Sequence, residues 1–170
     1  QAQLGRLIAG SLKLGLGGLL LLFVGVAFVV SRSRRVTIAM VGCLVAIPLV
    51  TLGTMGHVGI ALDIIASPAA NVALAMGVDS MIHLVVRARR LRSTAPTAWA
   101  AWLEARAQLW PAVLGATLII CTGFGIFSLS TFPPTQRFGI AVILGTLAAA
   151  LMALVALPFG AAAGIRVNED

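Results

Sequence analysis

A chain of 170 residues that is 60% hydrophobic and only 10% charged, with mean hydropathy +1.07, is not a water-soluble domain. Its net charge of +7 does not indicate a nucleic-acid binder, because the arginines fall in short breaks between apolar runs. The two cysteines, Cys43 and Cys121, lie inside apolar runs and frame neither a disulfide nor a metal site.

Apolar runs near the ~20-residue spanning length recur along the chain, which predicts an all-α polytopic membrane helix bundle. Residues 1–13 (QAQLGRLIAGSLK) read as a short amphipathic approach. A first span is expected over 14–30 and ends at SRSRR, where Arg32, Arg34 and Arg35 mark the cytoplasmic side. A second, over 36–54, carries Pro48 as a kink and leaves through the turn-like MGHVG. No small-residue cleavage site follows the first run, so it does not read as a signal peptide. The chain begins at Gln1 rather than Met, as expected for a piece of a longer protein.

The third span, over 62–86, holds GVDSMIHLVVRARR, residues 77–90. Asp79 lies there roughly 12 Å from Arg87 along a helix rising ~1.5 Å per residue. With Arg87 at the membrane surface, Asp79 falls near the middle of a hydrocarbon layer ~30 Å thick. Inserting a carboxylate at that depth costs ~2.5 kcal/mol or more, so such a group is expected between helices, with a function. His83 follows at i+4 on the same face, giving two titratable groups. Pro68 falls near the first turn of this span. Asp63, near the far membrane face, reads as a helix cap or as lining an access route to the site. Arg87, Arg89, Arg90 and Arg92 hold the other end in the cytoplasm.

Residues 94–110 are too polar to span, with an interfacial helix expected over about 96–108, and Trp99, Trp102 and Trp110 can share a broad face with Leu103 and Leu109. That pattern predicts an interfacial amphipathic helix on the cytoplasmic surface, with Glu104 and Arg106 wet. A fourth span is expected over 111–130, then an outer loop TFPPTQRFG, then a fifth span over 138–159 with Gly139 and Gly145 as close-packing points. The polar ending RVNED reads as a true C-terminus. Five spans place the N-terminus outside the cytoplasm and the C-terminus within it. Arg6, Lys13 and Arg137 then fall outside and the other arginines inside.

The order of these features resembles the transmembrane half of the resistance–nodulation–division superfamily, in its MMPL-type branch. The residues that carry the likeness are SRSRR, MGHVGIALD, GVDSMIHLVVRARR, TGFGIFSLSTFPPTQRFG and ALPFG, from about Leu4 to Phe159. The resemblance implies a proton-driven exporter of lipids or hydrophobic compounds in the inner (plasma) membrane, with no cofactor beyond the coupling proton. It implies that this chain is the five-helix block of one half, the C-terminal one. Its partners would be membrane lipids, the other half, an extracytoplasmic domain and a hydrophobic or lipid substrate. The family's intramembrane acid maps onto Asp79. Many relatives carry a second acid or a tyrosine at the next position, where this chain has Ser80, a hydrogen-bond donor but a poorer relay.

Asp79, His83 and Ser80 are therefore the candidate proton-coupling residues, with Thr117, Thr122 and Asn71 as supporting polar groups. The competing view makes Asp79 structural, bonded to Ser80, Thr117 or another helix, and makes the remaining polar groups helix–helix glue. The arginine clusters set topology first and attract anionic headgroups second. No phosphate-binding glycine loop, metal-ligand set or nucleophile–base pair is evident, so enzymatic catalysis is not expected. Two other readings fit the topology: a sterol-sensing-like lipid-binding domain, and an auxiliary subunit of protein translocation that lacks the GVD–IH pattern.

Overall fold

The computed structural model describes residues 17–18, 21–60 and 68–163. A short apolar helix, α1 (Leu21–Ser31), leads into α2 (Arg34–His57), α3 (Ala69–Leu91) and α4 (Ala98–Ser128). The last helix starts as α5 (Pro133–Leu151), loosens into one π-helical segment (Met152–Ala156) and ends as α6 (Leu157–Ala163). Among the described residues, four helices are long and apolar enough to cross a membrane: α2, α3, α4 and the run from Pro133 to Ala162. Residues 14–16, 19 and 20 of the expected first span, and Asp63 in the third, lie outside the described residues.

Small residues at a spacing of four explain why α3 and α5 form the centre. Ala69, Ala73 and Gly77 make one stripe on α3; Ala141, Gly145, Ala149 and Ala153 make another on α5 and its continuation, and all are buried. In lipid no hydrophobic force drives helices together, so close backbone approach and dispersion must hold them. A methyl group at Gly145 would collide with the Cβ of Ala73, and one at Gly77 with the Cδ1 of Ile47 on α2. At Gly145 the helices approach closely enough to leave no room for a side chain, whereas at Gly77 the obstacle is the tip of the Ile47 side chain. Larger side chains fill the spaces beside the stripes: Met40, Leu44 and Ile47 from α2, and Leu74, Met81, Leu84 and Val85 from α3. A smaller cluster, with Met55, Ala69, Ala141 and Val142, closes the opposite end.

Two expected boundaries move. The interfacial helix and the fourth span are one continuous 31-residue helix, α4, running through Pro111. Thr97 starts it by accepting a hydrogen bond from the amide of Ala100 at 3.1 Å. Its first turns are not laid flat on a surface. Ala101, Trp102 and Ala105 are buried, and Trp102 and Ala105 join the main core beside Ala88 and Leu157. Trp99 packs tilted against Phe159 of α6, ring centroids 5.3 Å apart. Of the three tryptophans only Trp110 is half exposed, so the shared aromatic face reads as packing rather than as an interface belt. At ~1.5 Å per residue α4 is about 46 Å long, well over a hydrocarbon thickness of ~30 Å.

The second shift is at the Pro-Pro turn. Helix α5 begins at Pro133, with prolines in its first positions, so the expected loop contracts to 129–132. A proline there sacrifices only an amide that a first turn leaves unpaired anyway. In α2, Pro48 sits inside an unbroken helix and is buried.

The arginine-rich segments gather at one end. Arg89 Nη1 donates to the carbonyl of Val30 at 2.7 Å, so a cation of α3 caps the end of α1. Arg87 Nε donates to Gln108 Oε1, and Gln108 Nε2 donates to Glu104 Oε1 at 2.7 Å, which ties the ends of α3 and α4 together.

Candidate functional site

The apolar pattern of α3 decides where its polar residues face. Ala70, Ala73, Leu74, Gly77, Val78, Met81, Leu84, Val85 and Ala88 occupy the core side. At 100° per residue the opposite side then carries Ala75, Asp79, His83 and Arg87, one below another at i, i+4, i+8 and i+12, and all four are exposed. Asp79 stands halfway along the 23-residue helix. Its carboxylate Oδ1 lies 3.4 Å from His83 Nε2. Their side chains are 69% and 66% exposed respectively.

Among the described residues no helix encloses Asp79, in contrast to the burial expected from its depth. The physical reason is its phase: Gly77 and Val78 just before it are needed against α2 and α5, and the helix has only one core face. Ser80 is half-buried on the flank of that face.

The structure does not bring the proposed supporting groups to Asp79. Thr117 is buried, but its hydroxyl donates to Val113 O of its own helix at 2.8 Å. Thr122 is exposed and donates to Leu118 O at 2.7 Å. Both satisfy themselves one turn back, as threonines in membrane helices do when no better acceptor is near. Asn71 lies two turns before Asp79, with a buried Oδ1 that has no partner among the described residues.

Below His83 the surface dips. Ile82, His83, Val86, Arg87, Arg90 and Leu109 line a hollow of about 440 Å³ that continues the Asp79 face toward the arginine-rich end. A larger apolar groove, about 650 Å³, runs between α4 and α5; Leu114, Leu147 and Leu151 line it, and Arg106 and Trp110 stand among its walls. The pairing of Arg87 with Gln108 was not anticipated, because a separate surface helix would have carried Gln108 away from α3. The small-residue stripe through Gly77 has a sequence signal of its own, the spacing of four in Ala69, Ala73 and Gly77.

The model of the MMPL family matches residues 9–164. The chain belongs to the MMPL family. It is accordingly a multi-pass membrane domain of the resistance–nodulation–division type, and MMPL proteins are transporters rather than enzymes. Comparison with individual curated proteins gives no significant match. The MMPL match covers every element described above, including the whole of α3 and its outward Asp79.

Proposed function

We propose that this chain is the energy-coupling membrane part of a proton-driven exporter of lipids or other hydrophobic compounds, with Asp79 as the group that takes up and releases the coupling proton. One observation carries the reading: a carboxylate halfway along a spanning helix, on the face its own bundle leaves open, with an imidazole at 3.4 Å. An acid exposed to hydrocarbon at that depth is costly, so a second protein surface covers it. The other half of the transporter is the natural cover, and Asp79 then lies at the junction of the two halves.

Protonation of Asp79 removes the charge from that junction, allowing the halves to repack and drive an extracytoplasmic domain that handles the substrate. His83 receives or orients the proton, and Ser80 steadies the carboxylate by hydrogen bonding. The hollow below His83 supplies a water route toward the arginine-rich end. Excess positive charge assigns that end to the cytoplasm, and hence the chain to the inner (plasma) membrane.

The test uses the full-length protein in liposomes under an imposed pH gradient, following proton flux and export of a hydrophobic fluorescent probe. Asp79→Asn is expected to abolish both while keeping the thermal unfolding midpoint. Wild-type export by Asp79→Asn would sink the proposal. The apolar groove between α4 and α5 favours a second reading, a domain that holds and reports a lipid. A lipid sensor would keep its ligand binding in Asp79→Asn and show no proton flux in either form.

A further inference from the structure

At the arginine-rich end, between the α1–α2 turn and the start of α4, lies a separate cavity of about 230 Å³. Its walls include Ser31, Arg32, Ser33, Arg89, Arg92 and Trp102. Three arginines from two distant stretches thus line one small space, with Trp102 among its walls. Among the described residues none of the three is paired with a carboxylate. The nearby acid Glu104 is engaged by Gln108.

The backbone is shaped to hold this arrangement. Arg32 has φ +47°, a left-handed conformation uncommon for a residue with a side chain. A hydroxyl network pins the turn: Ser31 Oγ and Thr37 Oγ1 share a hydrogen bond of 2.5 Å, and Thr37 Oγ1 donates to Ser33 O at 3.0 Å. Arg89 is fixed by its bond to Val30 O. The start of α2 adds to the field, since Ser33 does not cap it and its first turn holds no acid. An arginine cluster that only set topology would need neither a shared cavity nor a strained turn.

We propose that this cavity binds the phosphate ester of an anionic phospholipid headgroup from the leaflet at that end of the bundle. The size suits a headgroup and not an acyl chain with it. Guanidinium forks match phosphate oxygens, and the position beside the membrane surface supplies lipid at high local concentration. The inference stands apart from the transport reading, because it uses no residue of the Asp79 face.

The experiment measures binding of monomeric dihexanoyl phosphatidylglycerol to the full-length protein in maltoside detergent by calorimetry, so that no bilayer surface potential contributes. Dihexanoyl phosphatidylcholine and inorganic phosphate serve as the other two probes. Arg32→Gly, which also relieves the left-handed strain, and Arg92→Gln should each weaken phosphatidylglycerol binding about fivefold, the loss of one direct hydrogen-bonded contact. Arg34→Gln, an equal change in charge on the same turn but outside the cavity, should change it less than twofold. Phosphatidylcholine should bind more weakly than phosphatidylglycerol, and inorganic phosphate should not displace the lipid. Displacement by inorganic phosphate at equal concentration would identify free phosphate as the ligand and overturn the lipid assignment. Equal loss in Arg34→Gln, or no binding by the wild type, would overturn the site itself.

Discussion

Replacing Gly139 by alanine asks directly whether close backbone contact holds this bundle together. Gly139 sits in the second turn of α5, where the helix turns back against the end of α4. An added Cβ would lie 2.7 Å from Phe124 O, 2.9 Å from Phe127 Cβ and 2.9 Å from Ser128 N. Non-bonded heavy atoms rest at ~3.5–4.0 Å, so each contact falls short by more than half an ångström. Two of the three atoms are backbone and the third is a Cβ, so no rotamer change relieves the overlap. The helices must part. Overpacking of this kind costs ~1–3 kcal/mol. Separation also loosens the Phe124–Phe127–Phe138 cluster, whose ring centroids lie 5.6–6.3 Å apart, and such pairs add ~0.5–1.5 kcal/mol each. A net destabilisation of about 2–4 kcal/mol is expected. The measurement is the unfolding midpoint in detergent, followed by tryptophan fluorescence. Gly115→Ala, with nothing within 4 Å of its new methyl, is the control and should be neutral or slightly stabilising. A Gly139→Ala midpoint equal to wild type, or an equal fall in Gly115→Ala, would refute the packing argument.

Gly77→Ala should cost less than Gly139→Ala, because the atom it meets is the mobile Cδ1 of Ile47; the same fluorescence transition ranks the two. Trp102→Ala should destabilise by ~3–5 kcal/mol, as for a large core aromatic, whereas loss of a lipid-interface anchor would leave the transition nearly unmoved. Thr146 is 1% exposed and its Oγ1 has no partner among the described residues, so Thr146→Val should raise stability by about 1 kcal/mol in the same assay. Arg89→Ala removes the cap on Val30 O, which should speed amide hydrogen exchange in the last turn of α1 by several-fold, with little change in the middle of α3.

Apolar run length was sufficient to predict a helical membrane bundle, since lipid forbids unpaired backbone and leaves a chain like this few other choices. The same local chemistry placed Asp79 at mid-span and His83 one turn from it, because a helix converts sequence spacing into distance without help from its neighbours. The GVD and arginine-rich motifs also carried the family, which needs only the order of residues.

Tertiary packing decided what local patterns could not. The amphipathic stretch around Trp102 is compatible with a membrane surface or with a protein core; Ala101 and Ala105, small enough to admit neighbouring helices, settle it as core. Likewise, depth along α3 follows from residue count, but the direction of Asp79 follows from which side of the helix α2 and α5 occupy. The small stripe of Ala69, Ala73 and Gly77 claims that side, and the acid is left on the other. Arg32, Arg89 and Arg92 meet only because α1, α3 and α4 have their ends at one level, a juxtaposition of distant stretches that no linear pattern encodes.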